Sequence, residues 1–184
     1  MNKSKKWSWS TPTIEAAAAT AAALLLSARP KDPHFELISI ELTSFKLNFP
    51  LLDAELILTV QVTNPNIVSI EYPSAEMSIS YSGSVLGSAV VRAGSQSGRS
   101  RKVVKLPARL DGLKLASQMK QFVADVAKRE MVMDASVEIE GVAKVLWWDH
   151  KFKVHVNSHV IVDPVFLDII HQENVSEMEV FVTS

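Results

Sequence analysis

Residues 54–66 read AELILTVQVTNPN, and the pattern in this stretch decides the fold. Every second residue from Ala54 to Val62 is apolar, and the residues between them are mostly polar, with Ile57 as the exception. Strict period two is typical of a β-strand that buries one face. The sequence NPN at 64–66 ends this strand, because proline has no backbone N–H for a ladder and asparagine favours turns.

The same alternation recurs on both sides of this strand and predicts an all-β domain. A hairpin turn is expected at 82–84 (SGS), with a bulge at Gly87 on the returning strand. About seven strands with short turns predict a β-sandwich with Greek-key character. The further strands are predicted at residues 35–49, 77–81, 85–91, 103–106, 133–139 and 154–162.

One segment, residues 112–130, has helical periodicity instead. We predict a single amphipathic α-helix that begins after an N-cap at Asp111 and covers one open end of the sandwich. The apolar face of this helix is expected to consist of Leu115, Met119, Phe122, Val123 and Val126.

Composition excludes several classes of function. The chain has 184 residues, of which 47% are hydrophobic and 21% charged, with a formal net charge of -1 and no cysteine. Such a chain can bury a core, and its charge argues against general nucleic-acid binding. The absence of cysteine removes disulfides, thiolate catalysis and cysteine-based zinc sites.

The first 33 residues read as a basic start followed by a short apolar segment. The basic start contains Lys3, Lys5 and Lys6 with two tryptophans, which is typical of a membrane entry. Residues 16–28 carry no charge, but as a helix they would reach only ~20 Å across a hydrocarbon core of ~30 Å. Three interpretations stay open: a membrane anchor, a cleaved signal peptide, or an exposed alanine-rich helix. The candidate membrane-segment residues are Ala16, Leu24, Leu25 and Leu26.

The chain therefore divides into three predicted parts. Residues 1–33 form the basic N-terminus, the hydrophobic helix and an RPKDP junction, and residues 34–164 form the β-domain. Residues 165–184 form a tail with a short helical turn near Phe166 and an exposed acidic stretch.

The order of several motifs resembles a known family. The segment RPKDPHFELISIELTSFKLN at 29–48 is followed by VTNPN, YSGSVLG, a helix and a final strand that closes VIVDP. This arrangement resembles the plant late embryogenesis abundant proteins of group two, which share the WHy domain and include the harpin-induced-like membrane proteins. The resemblance implies an immunoglobulin- or fibronectin-III-like β-sandwich with one helix. It also implies a single membrane-spanning helix before the junction and a non-catalytic role in water-stress or defence responses.

Nothing in the residues predicts chemistry, and we expect no enzymatic activity, no cofactor and no metal. His155 and His159 would stand ~13 Å apart on one strand face, too far for one ion. We expect both to face solvent. The carboxylates are scattered over strand faces and turns, without a pair that the sequence brings together.

A few residues are candidates for interaction instead. The loop at 92–105 could contact anionic lipid through its basic residues Arg92, Arg99, Arg101, Lys102 and Lys105. Trp147 and Trp148 could expose an aromatic ring at a strand end. Asn174 begins an N-glycosylation sequon, which matters only on the luminal or extracellular side. The expected partners are membrane lipid, through the N-terminal segment, and an unidentified protein, with no nucleic acid.

Two functional hypotheses follow. The first is a single-pass membrane protein with a cytoplasmic N-terminus, whose domain presents a binding surface on the non-cytosolic side in stress or defence responses. The alternative is a soluble, cytoplasmic stress-protective or apolar-ligand-binding module. Its lipid-sized pocket would lie under the helix, near Met119 and Phe122.

Overall fold

The computed structural model describes residues 30–48, 51–145 and 148–181, which form ten β-strands and two α-helices. The strands are β1 (His34–Asn48), β2 (Leu51–Asn64), β3 (Ser69–Tyr72), β4 (Ala75–Tyr81), β5 (Ser84–Val91), β6 (Gly94–Gln96), β7 (Ser100–Leu110), β8 (Met131–Val145), β9 (Trp148–Val162) and β10 (Ile169–Phe181). The helices are α1 (Gly112–Ala116) and α2 (Met119–Lys128).

All ten strands belong to one antiparallel sheet that curls into a half-barrel. Its main path runs β1-β2-β7-β5-β4-β8-β9-β10, and β3 also pairs with β8 and carries β6 on its other side. The all-β prediction is confirmed, whereas the finer expectation of an immunoglobulin-like sandwich is not. Three strands occur beyond the seven expected: β10, and the short strands β3 and β6, whose four and three residues are too few to show a period in the sequence.

The inward rows of facing strands build the core. In β2, Leu56 and Leu58 are buried, and they stand opposite Ala108 and Leu106 of β7. In β9, the valines at alternate positions are buried in the same way, as the period of two predicts. The predicted bulge is also present, since the pairing of β4 with β5 shifts register beside Gly87.

The two outer strands of the main path, β1 and β10, meet at a seam that side chains close. Within the described residues no backbone ladder joins them. Instead, the Gln172 side chain accepts a hydrogen bond from the Leu37 N–H at 2.9 Å and donates one to the Leu37 carbonyl at 3.1 Å. The Ser176 hydroxyl donates to the Pro33 carbonyl, and the Met178 N–H donates to Asp32 at 2.8 Å.

The seam explains why the sequence predicted a tail where β10 lies. The inward positions of β10 include Gln172, Asn174 and Ser176, which are polar because they form hydrogen bonds across or beside the seam. The usual alternation of buried apolar residues is therefore missing over half of the strand. The predicted tail was wrong for residues 169–181, which form β10, although the acidic side chains there are exposed as expected. The turn expected near Phe166 is present, since the Leu167 N–H donates to the Asp163 carbonyl at 2.7 Å.

The single predicted helix is two helices. Asp111 is the N-cap of α1, as predicted, and its carboxylate accepts from the Leu113 N–H at 3.0 Å. The first helix ends at Ala116, and its C-cap Ser117 donates through the hydroxyl to the Lys114 carbonyl at 2.7 Å. Serine that bonds back to its own turn competes with helix continuation, which accounts for the break.

No helix among the described residues is long and apolar enough to span a membrane. The predicted N-terminal hydrophobic helix, with Ala16, Leu24, Leu25 and Leu26, lies outside the described residues.

Candidate functional site

An apolar cavity of about 290 Å³ lies inside the curled sheet. Protein interiors are normally packed with few voids larger than a water molecule, so a space of this size is notable. The facing rows consist largely of short valine side chains, which leave space that longer side chains would fill. The lining includes Leu58, Val60, Val104, Val137, Phe152 and Val154.

The mouth of this cavity is polar and basic. Lys102 stands two positions before Val104 on β7, so the two side chains share the inward face of the strand. Lys102 pairs with Val62 of β2, and Val104 pairs with Val60. Its ammonium group donates to the Ser95 carbonyl at 3.2 Å. Tyr72, on the inward face of β3, lies at the same mouth, since it pairs with Gly94, the residue next to Ser95.

A second apolar cavity of about 170 Å³ lies at the helix-covered end of the half-barrel. Phe122 of α2 and Leu115 of α1 line it, together with Leu42 and Phe45 of β1. Phe122 therefore lies where the sequence predicted it, whereas Met119 is not among the lining residues.

A buried tyrosine–aspartate pair fixes α2 to the sheet. The Tyr81 hydroxyl donates to Asp125 at 2.7 Å, and the other carboxylate oxygen accepts from Gln121 Nε2 at 2.7 Å. Burial of the phenol, together with its bond to Asp125, raises the pKa of Tyr81 to about 12. The tyrosine of the YSGSVLG motif is thus the contact between hairpin and helix.

An ion pair fixes the other end of α2. Arg129, which caps the helix in the left-handed conformation, donates through Nε and a terminal nitrogen to Asp163 at 2.8 and 2.6 Å. Its guanidinium group also lies 4.4 Å from the Phe166 ring centroid. Desolvation raises the pKa of Asp163, but the Val165 N–H and Arg129 outweigh it, so the pKa lies below its usual value.

At the opposite end, the asparagines of the NPN motif hold the junction to the domain. The Asn66 side chain accepts from the Lys31 N–H and donates to the Lys31 carbonyl, both at 2.8 Å. Asn64, which is 1% exposed, donates to the carbonyls of Val68 and Ser97 and accepts from the Asn66 N–H. We call the pair Asn66 and Lys31 the junction clamp. The sequence indicated only a turn at this motif.

The predicted interaction residues are not brought together. Arg99 and Arg101 are exposed near the junction clamp, and the Arg99 N–H donates to the Asn66 carbonyl at 2.7 Å. Trp148 begins β9, opposite Val145, and Trp147 lies outside the described residues.

Asn174, the sequon residue, points into the half-barrel. Its side chain accepts from the Ser158 hydroxyl and donates to Gln172 at 3.2 Å, and it lines the larger cavity. A glycan on the amide nitrogen would have to displace the bond to Gln172. Glycosylation of Asn174 stays a prediction.

Of the two inward residues at the cavity mouth, Lys102 was expected only as one of the basic residues of the loop at 92–105, and Tyr72 was not singled out from the sequence. A signal for Lys102 did exist, because it stands two positions before Val104 and four before Leu106, on the same strand face. The sequence contains no signal that identifies Tyr72 as an inward residue, because β3 is too short to show a period. Among the described residues, no group of three acidic or histidine side chains could hold a metal.

His155 and His159 are both exposed on β9, as predicted. His159 Nδ1 lies 2.7 Å from a carboxylate oxygen of Asp134 on the neighbouring strand.

The fold and the cavity define an all-β domain with an apolar interior. The family model for late embryogenesis abundant protein, LEA_2, matches residues 59–160, which is more than half of the 184-residue chain. The chain therefore belongs to the LEA_2 family, as the resemblance implied. Proteins of this family are generally non-enzymatic and stress-related.

Three solved structures are similar to the chain. A crystal structure of a protein from Archaeoglobus fulgidus is 13% identical, with 81% of this chain and 98% of that chain covered and a TM-score of 0.37. A solution structure from Arabidopsis thaliana is 18% identical, with 83% of each chain covered and a TM-score of 0.40. A solution structure of a late embryogenesis abundant (LEA) protein is 17% identical, with coverages of 98% and 93% and a TM-score of 0.34. No curated protein sequence matches the chain.

Proposed function

We propose that this stress-related LEA_2 domain binds an apolar ligand inside its half-barrel. The observation that carries the proposal is the cavity of about 290 Å³ with its apolar lining. Ligand pockets in proteins start at roughly 300 Å³, and a dry apolar cavity of ~150 Å³ already binds benzene. The space between the valine rows is therefore large enough for a small apolar molecule or part of an alkyl chain.

A cavity-filling variant tests this proposal. Val104 faces the cavity, whereas Val103 beside it points outward and is 55% exposed. We expect Val104→Phe to weaken binding of the uncharged dye Nile red at least tenfold, because the ring occupies the ligand's space. Val103→Phe, the matched control, should leave binding unchanged.

Overpacking could also unfold the domain, so each variant needs a thermal denaturation curve. The smaller change Val60→Leu, on the facing position of β2, adds one methylene and should weaken binding less without loss of folding. The proposal fails if the folded wild-type domain binds no uncharged apolar probe, or if Val103→Phe and Val104→Phe affect binding equally.

The second proposal is membrane association through residues 16–28. The junction clamp supports it, because this contact holds Lys31 at the end of the domain where Arg99 and Arg101 are exposed. If the preceding segment enters a bilayer, these cations would face the phosphate groups of the lipid headgroups where the chain leaves the membrane. The domain would lie on the non-cytosolic side with the N-terminus cytoplasmic. The alternative location is soluble and cytoplasmic.

Alkaline carbonate extraction separates these locations. We expect the full chain to stay with the membrane pellet and a chain that starts at Arg29 to be released. Protease protection of intact vesicles then reports the side on which the domain lies. Release of both chains would contradict an anchor and leave the soluble alternative.

The group-two, WHy and harpin-induced-like resemblance extends the proposal to water-stress and defence responses. The test is tolerance to water loss in cells that lack the protein and in cells that carry it again. Restoration by the wild-type chain but not by Val104→Phe would connect the stress role to the cavity.

A further inference from the structure

We propose that the ligand of the larger cavity is a single-chain fatty acid, with its alkyl chain between the valine rows and its carboxylate at the mouth. This inference rests on the proposed binding of an apolar ligand and adds the charge of its headgroup.

The first argument is the position of Lys102. Its ammonium group lies at the exposed end of an inward row, and the following inward residues of β7, Val104 and Leu106, line an apolar space. Its observed acceptor is the neutral carbonyl of Ser95. A charged acceptor would form a stronger, charge-assisted bond.

The second argument is the charge balance of the mouth. Arg92 follows the last residue of β5 and lines the cavity, whereas Lys105 alternates with Val104 and Leu106 and therefore lies on the outward face of β7. Within the described residues none of Arg92, Lys102 and Lys105 forms a salt bridge. The one carboxylate at the rim, Glu36, accepts from Gln61 Nε2 at 3.3 Å. Glu36 lies on the outward face opposite Gln61, so Arg92 and Lys102 leave the mouth positive, which complements a carboxylate.

The third argument is the hydroxyl of Tyr72. It lines the mouth and makes no hydrogen bond to the described residues. Desolvation raises the pKa of this phenol, so it stays a neutral donor at physiological pH. A carboxylate between Lys102 and Tyr72 would therefore meet a cation and an O–H donor, as anion recognition requires.

Three ligands of equal chain length test the inference: dodecanoic acid, dodecanol and dodecylamine. Their dissociation constants are measured by displacement of Nile red from the purified domain. We expect the acid to bind about tenfold more tightly than the alcohol, and the amine more weakly than both, because one charge-assisted bond is worth about this factor. The advantage of the acid should shrink at high salt, since the mouth is open to solvent.

Single substitutions identify which side chains cause the preference for the acid over the alcohol. Lys102→Met keeps the length of the side chain but removes its charge, and should abolish the preference for acid over alcohol while dodecanol still binds. Arg92→Met and Tyr72→Phe should each reduce the preference in part. The matched control is Arg109→Met, which removes a cation from the outward face of the same strand and should keep the preference.

The outcomes separate this inference from the proposed function. If acid and alcohol bind the wild-type domain equally, the headgroup inference is wrong and apolar binding stands. If Nile red binds but none of the three ligands displaces it, the fatty-acid inference is wrong. If Nile red itself does not bind the folded domain, both proposals fail. If Arg109→Met removes the preference as fully as Lys102→Met, the effect comes from net charge and the mouth assignment is wrong.

Discussion

The two tyrosines of the chain lie at opposite ends of the half-barrel and have opposite surroundings. Tyr81, at the helix-covered end, is 2% exposed and donates to a buried carboxylate. Tyr72, at the cavity mouth, is half-buried and its hydroxyl has no protein acceptor within the described residues. Tyr81 uses its hydroxyl on an internal contact, and Tyr72 leaves its hydroxyl available. We infer that the helix end provides stability and the mouth provides binding.

The largest expected effect is at the helix end. Tyr81→Phe removes the donor to Asp125 and leaves a buried carboxylate oxygen without this partner, which costs about 2 kcal/mol. Urea denaturation should show a lower midpoint with an unchanged slope. A wild-type midpoint for this variant would contradict the assigned role of the Tyr81–Asp125 contact.

Alkaline pH should reduce the stability that the buried Tyr81 hydroxyl provides at the helix end. The folded pKa of Tyr81 is raised to about 12 from 10.0, so folding favours the neutral phenol. The resulting stability is complete below pH 10 and is lost as the pH rises towards 12. Denaturation midpoints measured over this range should fall for the wild-type domain and fall less for Tyr81→Phe. If the midpoints of the two proteins fall equally with pH, the loss of stability does not come from ionisation of Tyr81.

A smaller effect is expected at the junction clamp. Asn66→Ala removes both hydrogen bonds to Lys31, and we expect a loss of about 1 kcal/mol, because these bonds lie partly at the surface. Limited proteolysis should cut faster near residue 31, since the junction is no longer held. The control is Asn157→Ala, an exposed asparagine of β9. Equal cleavage of both variants would show that the clamp does not restrain the junction.

The smallest effect on stability is expected for Tyr72→Phe. Because its hydroxyl has no protein acceptor among the described residues, its removal should change the free energy of unfolding by less than about 0.5 kcal/mol. The measurement is the same urea denaturation used for Tyr81→Phe. A loss as large as that of Tyr81→Phe would remove the contrast between the two ends.

The sequence predicts those parts of the fold in which one strand face is uniformly apolar. The stretch 54–63 and the valine row of β9 belong to this class, and both were predicted as strands. Strand β10 was missed because Gln172, Asn174 and Ser176 replace the apolar row with side-chain hydrogen bonds. Residue patterns report burial in apolar surroundings, and a polar seam lacks that signal.

The sequence predicted that an apolar cavity exists but not where the larger cavity lies. A cavity near Phe122 was expected, but the larger cavity depends on the separation of two walls that are distant in the chain. The inward position of Lys102 could have been read from its spacing to Val104. Its nearness to Tyr72 could not, because that depends on the pairing of β3 with β6.

The seam between β1 and β10 has a consequence for biosynthesis. Gln172 contacts Leu37 across 135 positions of the chain, and closing so long a loop is entropically costly and slow. On the ribosome, β1 emerges long before β10 at 169–181. The inward apolar side chains of the earlier strands therefore stay accessible to water and to other chains during most of translation. The apolar interior is therefore also the surface through which a nascent chain would be captured by chaperones.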